Sequence, residues 1–263
     1  MLEQTAQDIN KLGGFCGKRD LPALTQAAMR QAYGCPQADV MVLFGGSILA
    51  GGDVLAQAMQ NGAAKKFIIV GGAGHTTQTL RETVHAICPE IKTADEPEAV
   101  VFDRYLRSRY GLYADALETQ STNCGNNITY LLELLEREKI PCCSIILCQD
   151  ATMQRRMEMG MRRYRPQGME IINYAAYQAE VVTQGSQLTY REAIPGMWTV
   201  DRYVNLLMGE IPRLTDNDAG YGPNGKNYIA HDDIPPEVQA AFERLQAVYG
   251  TQTRAANPLY ASK

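Results

Sequence analysis

Small hydrogen-bonding side chains are concentrated in residues 118–127, which read Glu-Thr-Gln-Ser-Thr-Asn-Cys-Gly-Asn-Asn. A helix that begins here needs only one Ser, Thr or Asn as its N-cap, yet five such residues follow Gln120. The surplus favours a surface that binds a polar ligand over helix capping alone. Cys124 could act as a nucleophile only with a base beside it, and the sequence places none there. The candidate ligand contacts in this segment are Ser121, Thr122, Asn123 and Asn127.

Glycine pairs end two short apolar runs, at 38–44 and 67–70. Glycine allows a ligand to approach the backbone closely, and free N–H groups at the start of a following helix attract anions. Tight strand-to-helix turns explain the same glycines without a ligand, but the repetition of the pair favours a binding role. His75 is either a partner for phosphate, carboxylate or ribose, or an ordinary exposed loop histidine. The candidate contacts are Gly45, Gly46, Ser47, Gly72, Gly74 and His75.

Neither glycine segment is a complete nucleotide-binding fingerprint. Gly52-Asp53 stands where a P-loop requires Lys followed by Ser or Thr, and Thr77 replaces the third glycine of a dinucleotide-binding loop. The glycines therefore indicate a ligand site without identifying its ligand.

Two carboxylates are candidates for acid–base or ribose-binding roles. Glu98 follows Pro97 at the predicted start of a helix, where an acidic side chain stabilises the helix dipole, so the residues alone favour a capping role. Asp150 follows an apolar run and either caps the next helix or accepts hydrogen bonds from ribose hydroxyls. Met153 and Arg155 follow it, and Arg155 and Arg156 could pair with an acidic ligand group. The catalytic candidates are Glu98, Asp150 and His75.

Composition limits the classes of function. The 25 basic and 29 acidic residues give a net charge of −4, which argues against general nucleic-acid binding. The seven cysteines form no Cys-x-x-Cys motif, so neither a disulfide framework nor a metal site is expected. No signal peptide and no apolar run long enough to cross a bilayer are evident. We therefore expect a cytoplasmic protein without stable membrane insertion; its oligomeric state stays open.

Alternating strands and helices must position these candidates. The apolar runs predict strands at 38–44, 67–70, 114–118, 143–148 and 169–173, with helical patterns between them. This order predicts an α/β fold with a doubly wound, Rossmann-like parallel sheet and extra N- and C-terminal helices. We divide the chain into an N-terminal helical segment (1–36), a ligand-binding core (37–175) and a C-terminal extension that wraps the core (176–263). In the extension, helices are expected near 190–208 and 236–249.

Several segments occur in the order expected of the SanA/YdcF-like superfamily. The tail motifs resemble the YdcF branch of that superfamily. The segments in the predicted core are Leu43-Phe44-Gly45-Gly46, Val70-Gly71-Gly72-Ala73-Gly74-His75, Glu98-Ala99, Glu118-x-x-Ser121-Thr122-Asn123-Cys124-Gly125-x-Asn127 and Asp150-x-x-Met153-Gln154-Arg155-Arg156. Those in the tail are Trp198-x-Val200-Asp201-Arg202-Tyr203, Gly209-Glu210-Ile211-Pro212-Arg213-Leu214 and Gly220-Tyr221-Gly222-Pro223.

The resemblance to the superfamily implies a Rossmann-like core of uncharacterised biochemistry, and the resemblance to the YdcF branch also implies binding of S-adenosyl-L-methionine. One departure is that Asn126 stands where the superfamily usually has Glu. By position, the implied ligand contacts are Gly45, Gly46, Gly72, Gly74, His75, Glu98, Ser121, Asn123, Asn127, Asp150 and Arg155.

Three hypotheses follow. The first is binding of S-adenosyl-L-methionine or a related adenosine nucleotide, with the reaction, if any, unknown. The second is a hydrolase or transferase that acts on a phosphorylated or nucleotide-sugar substrate, with Glu98 or Asp150 as the acid–base group. The third is a non-catalytic module whose tail binds a partner protein.

Overall fold

The computed structural model describes residues 2–74 and 76–250. Its centre is a five-stranded, all-parallel sheet with strand order β3-β2-β1-β4-β5, which confirms the predicted α/β fold. The strands are β1 (Ala38–Phe44), β2 (Ala64–Val70), β3 (Ala116–Glu118), β4 (Ser144–Cys148) and β5 (Glu170–Asn173). The helices are α1 (Leu2–Cys16), α2 (Gln26–Tyr33), α3 (Ala50–Gln60), α4 (Thr77–Ile87), α5 (Glu98–Tyr110), α6 (Cys124–Arg137), α7 (Gln154–Tyr164), α8 (Val200–Leu214) and α9 (Pro236–Tyr249).

Both faces of the sheet are buried, because side chains alternate across each strand and helices cover both sides. Met41 and Leu43 pack in a core that includes side chains from α1, α3, α5, α8 and α9. Val42 faces the opposite way and packs with α6 and α7, against residues such as Leu131 and Met157. Strands of this kind need apolar residues at successive positions, which explains why the runs were visible in the sequence.

The strand order reverses between β1 and β4. The chain runs outward from β1 through β2 to β3, and then returns to place β4 on the other side of β1. Helices that leave neighbouring strands in opposite directions at such a point open a crevice beyond the carboxyl ends of the strands. The loops that follow β1 and β4 therefore flank the place where ligands bind in this class of sheet.

The helix expected near 190–208 is present, but its bounds are shifted to Val200–Leu214. Residues before it form a hairpin of β6 (Val181–Gln184) and β7 (Gln187–Tyr190), and α8 begins only at Val200. Gly185 turns the hairpin with a φ of +61°, and Gly196 has a φ of +74°, a conformation that no helix continues. Thr199 then caps α8, since its hydroxyl accepts a hydrogen bond from the Arg202 N–H at 3.3 Å.

The C-terminal elements pack on the rest of the chain. α8, α9 and β6 contact α1, and the Ala230 N–H donates to the Met159 carbonyl in α7 at 2.9 Å. The expected helix at 236–249 is confirmed. The three-part division of the chain stays a prediction. No helix in residues 2–74 and 76–250 combines the length and apolar character needed to cross a bilayer.

Candidate functional site

The candidate site consists of the loops that follow β1 to β4 together with Glu118 at the end of β3, residues 45–47, 71–74, 118–123 and 149–153, which we call the rim. Parallel strands bring their carboxyl ends to one edge of the sheet, so these loops lie side by side. Contacts between neighbouring loops join them into one surface.

Glycines in the first two loops make room for Glu98. A Cβ atom at Gly45 would clash with the Glu98 carboxylate, and one at Gly71 would lie 3.1 Å from the Glu98 Cβ. The Glu98 N–H also donates to the Gly72 carbonyl at 2.8 Å. The glycine pairs therefore allow the start of α5 to pack directly over the ends of β1 and β2.

Glu98 is a buried carboxylate, with 7% of its surface exposed. Its Oε1 accepts hydrogen bonds from the hydroxyls of Thr77 at 2.7 Å and Thr76 at 3.2 Å, both at the start of α4. Burial raises the pKa of the Glu98 carboxyl, although the two threonine hydrogen bonds oppose this shift. Glu98 lies in the first turn of α5, where a negative charge also suits the helix dipole, as the capping interpretation predicts.

The third loop holds Gly72 tightly. The Gly72 N–H lies 3.0 Å from the Ser121 carbonyl and 3.3 Å from the Ser121 hydroxyl. A Cβ at Gly72 would lie 2.8 Å from the Thr119 carbonyl, and one at Gly74 would lie 3.5 Å from the Thr122 carbonyl. The structure therefore brings together four predicted ligand contacts, Gly72, Gly74, Ser121 and Thr122. Ser121 holds the loop, and Thr122 is exposed.

Asn123 caps α6. Its Oδ1 accepts from the Asn126 N–H at 3.0 Å, and its Nδ2 donates to the Asn126 Oδ1 at 2.6 Å. The residue that departs from the superfamily pattern, Asn126, therefore shares a hydrogen-bond pair with a predicted ligand contact. Asn127 is half-buried one position later, and its N–H donates to the Asn123 carbonyl at 2.9 Å.

Glu118 is a rim carboxylate that belongs to the predicted polar segment 118–127 but was not among the predicted ligand contacts. Its Oε1 accepts from the N–H groups of Gln120 at 2.6 Å and Ser121 at 3.0 Å. Its Oε2 is buried and has no hydrogen-bond partner within the described residues. An acidic residue at the last position of an otherwise apolar strand was the available signal, since such a side chain rarely serves packing.

Gln149 is a second residue that the sequence analysis missed, and it joins β4 to β1. It is 2% exposed, and its Oε1 accepts from the Asp150 N–H at 2.6 Å. The same Oε1 lies 3.6 Å from the position that a Cβ would take at Gly46. A cavity of about 10 Å³, room for one water molecule, lies between Gly46, Gln149 and Asp150. A larger ligand must therefore lie over the rim rather than inside the sheet edge.

Asp150 is anchored on one oxygen. Its Oδ1 accepts from the Thr152 N–H at 2.9 Å, the Thr152 hydroxyl at 2.7 Å and the Tyr177 hydroxyl at 2.8 Å. Burial and the nearby Asp150 carboxylate together raise the pKa of Tyr177. Asp150 therefore ties the fourth loop to the segment that follows β5.

Both arginines at the start of α7 face carboxylates of the C-terminal extension. Arg155 makes two hydrogen bonds to Asp232, at 2.6 and 2.8 Å, and lies 4.0 Å above the Phe15 ring. The Arg156 Nη2 lies 3.0 Å from the Glu210 Oε1. Met153 is half-buried just before α7. Arg155 and Arg156, which were predicted as possible partners for an acidic ligand group, therefore pair with carboxylates of the same chain.

Ser47 is 1% exposed. Its hydroxyl is buried without a hydrogen-bond partner in the described part of the chain, as are the Tyr190 hydroxyl and the Trp198 indole nitrogen. Buried polar atoms without partners are uncommon in folded proteins and indicate sites where water or a ligand binds. Ser47 was a predicted contact, whereas Tyr190 and Trp198 were not.

His75, a predicted ligand contact and catalytic candidate, lies outside the described residues. Across residues 2–74 and 76–250, no three His, Cys, Asp or Glu side chains are grouped so as to hold a metal ion. An open groove of about 1120 Å³ lies along α4 and α5 and the connection between them, but no rim residue lines it.

No protein-family model matches the chain. The class that the fold and the site define is an α/β protein with a five-stranded parallel sheet and a polar rim at its topological switch point.

Proposed function

We propose that this chain is a SanA/YdcF-like protein whose rim binds S-adenosyl-L-methionine or a related adenosine nucleotide. One observation carries the proposal: the rim carboxylates of Glu118 and Asp150, and the adjoining Glu98, form no ion pair within the described residues, whereas Arg155 and Arg156 are both paired. The rim therefore offers negative charge and hydrogen-bond acceptors, and none of its described residues is an unpaired lysine or arginine.

This charge pattern suits S-adenosyl-L-methionine better than a polyphosphate. The ligand carries a sulfonium and an ammonium group, which carboxylates attract, and ribose hydroxyls, which donate hydrogen bonds to them. A triphosphate would instead bring several negative charges towards Glu98 and Glu118. Of the glycines at this edge, Gly46 is half-exposed and a Cβ there would meet only the Gln149 Oε1, at 3.6 Å, so the backbone can be approached by a ligand at that position.

Calorimetric titration of the full chain tests the proposal. S-adenosyl-L-methionine should bind more tightly than S-adenosylhomocysteine, because the thioether of the latter lacks the sulfonium charge, and more tightly than ATP or NAD. Glu98→Gln should weaken S-adenosyl-L-methionine binding about tenfold, as expected for loss of a charge-assisted interaction, and should reduce the preference over S-adenosylhomocysteine.

The matched control is Glu133→Gln, which removes a carboxylate from the exposed face of α6. It should bind the ligand as the wild type does. Absence of measurable heat with any of the four ligands would remove the proposal.

Glu98 also supports the second candidate function, a hydrolase or transferase that acts on a phosphorylated or nucleotide-sugar substrate. A buried carboxyl with a raised pKa is suited to general acid–base catalysis. A screen with phosphate esters and glycosyl phosphates should then find an activity that Glu98→Gln abolishes. Undiminished turnover in this variant would exclude Glu98 as the acid–base group. The cytoplasmic location stays a prediction.

A further inference from the structure

The N-terminus of α3 lacks a side-chain cap. Thr25, Asn123 and Thr199 cap α2, α6 and α8 through a side-chain oxygen, whereas α3, which follows Leu49, has no side-chain cap, and neither do α4, α5, α7 and α9. The first N–H groups of a helix carry a partial positive charge and need acceptors from outside the helix.

The N–H groups before and at this helix start are also without backbone acceptors. Within the described residues, those of Ser47, Ile48, Leu49 and Ala50 donate to no backbone carbonyl. Ser47, Ile48 and Leu49 are 1%, 4% and 1% exposed. Buried N–H groups without acceptors are rare in native proteins, so this segment is suited to receive an acceptor from a ligand.

The Ser47 hydroxyl is an independent observation that indicates a ligand. It lies two residues before the helix start, is buried, and has no partner in the described chain. A hydroxyl and several N–H groups together form a set of donors suited to an anionic oxygen group. Of the two preceding glycines, Gly46 leaves its side of these donors open, whereas the Glu98 carboxylate lies directly against Gly45.

A segment of the C-terminal extension passes over this helix start. A Cβ at Gly196 would lie 4.0 Å from the Leu49 nitrogen and 3.3 Å from the Thr83 Cγ2. Gly196 therefore limits the space above α3, which favours a small group such as a carboxylate or a single phosphate over a polyphosphate chain.

We infer that Ser47 and the N-terminus of α3 form a subsite for one anionic oxygen group, a carboxylate or a phosphate. The inference deepens the proposed function and rests on it in one respect: the carboxylate would be that of the methionine moiety of S-adenosyl-L-methionine. A phosphorylated substrate would supply the same chemistry under the second candidate function.

Three full-length proteins test the subsite: the wild type, Ser47→Ala, and the control Ser186→Ala in the exposed hairpin turn. Calorimetry would compare S-adenosyl-L-methionine with its decarboxylated form, which lacks only the carboxylate. Ser47→Ala should weaken S-adenosyl-L-methionine binding about tenfold or more and leave binding of the decarboxylated form unchanged. Equal losses for both ligands, or none, would overturn the subsite while leaving adenosyl binding established.

Inorganic phosphate separates this inference from the proposed function. If no adenosyl ligand binds, but phosphate raises the melting temperature of the wild type and of Ser186→Ala and not of Ser47→Ala, the subsite holds phosphate and the proposed function fails. If no adenosyl ligand binds and phosphate does not raise the melting temperature of the wild type and Ser186→Ala above that of Ser47→Ala, both the subsite and the proposed function fail.

Stability measurements separate ligand binding from a structural role for the hydroxyl. Without ligand, Ser47→Ala should melt at or above the wild-type temperature, since a buried hydroxyl without a partner destabilises the fold. A clear fall would show that the hydroxyl is structural and overturn the inference. The nearly isosteric Ser47→Cys, a weak donor, should give the same selective loss of carboxylate recognition and serves if the alanine variant does not fold.

Discussion

Two regions at the same sheet edge use charge in opposite ways. Beside β1 and β2, the Glu98 carboxylate is buried against glycines, and its hydrogen bonds to described residues come from neutral hydroxyls. At the start of α7, Arg155 and Arg156 are each paired with a carboxylate of the C-terminal extension. The carboxyl of the first region forms no ion pair within the described residues, and the second region uses its charges to hold the extension against the core.

The comparison teaches that proximity to a ligand-binding edge does not by itself make a charged residue a ligand contact. Arginines beside an apparent site are natural partners for an acidic ligand, but the same planar guanidinium is well suited to buried ion pairs within a protein. Which of the two applies depends on whether another part of the chain supplies a carboxylate, and here Asp232 and Glu210 do.

The largest effect is expected at the Arg156–Glu210 pair. Their side chains are only 12% and 7% exposed, so Glu210→Gln leaves a buried guanidinium without its counter-charge. We expect a loss of about 3–5 kcal/mol in the free energy of unfolding, measured by urea denaturation. The exposed pair of Arg191 and Glu180 is the control, where Glu180→Gln should have a much smaller effect because solvent screens the pair. Similar losses at the two pairs would contradict the structural role of Glu210.

A smaller effect on stability is expected at Arg155, and it should show whether this guanidinium serves the ion pair with Asp232 or contacts the ligand. Arg155→Gln and Asp232→Asn each break the same pair, so a double-mutant cycle should give a coupling free energy of about 1–3 kcal/mol. Neither variant should change the affinity for S-adenosyl-L-methionine by more than about threefold. A loss of affinity in Arg155→Gln alone would instead assign the guanidinium to the ligand.

The charge of Glu98 should appear as a pH dependence of stability. Because burial raises its pKa above the ordinary value of 4.5, the folded state holds the proton more tightly than the unfolded state does. Stability from this group is complete below about pH 4.5 and is lost as the pH rises through the folded-state pKa. Unfolding free energies of the wild type and Glu98→Gln, compared across this range, should therefore diverge as the pH rises, with the wild type falling. A constant difference would mean that Glu98 does not titrate as proposed.

The smallest effect is expected at His231, an exposed residue of the extension. Hydrogen bonds to Asp216 and Asp233 raise its pKa above 6.5. The stabilisation is complete below about pH 6.5 and is lost as the pH rises through the folded-state value. His231→Gln should flatten this part of the melting-temperature profile, and about 1 M salt should reduce the wild-type slope, because exposed charges are screened. Identical profiles in the two proteins would exclude this contribution.

The sheet was predictable because its determinants are local. An apolar run such as 38–44 is needed for a strand that is buried on both faces, and its glycine ending marks the turn into the next helix. The hairpin before α8 was missed for the converse reason. Residues 181–190 are only partly buried, so their hydrophobic pattern is weak, and the turn at Gly185 decides their structure.

By itself, the amino-acid sequence determined the fold class, the strand-end loops and the residue types that those loops present, because periodicity and glycine placement act over a few residues. Only the tertiary structure decided which of these residues are paired. Glu98 is buried because α5 packs over Gly45, and none of the residues that the structure describes forms an ion pair with it. Arg155 is neutralised because Asp232, from a distant part of the chain, folds back onto α7. Electrostatic partners depend on distances in space, and those are fixed only when the separate elements pack together.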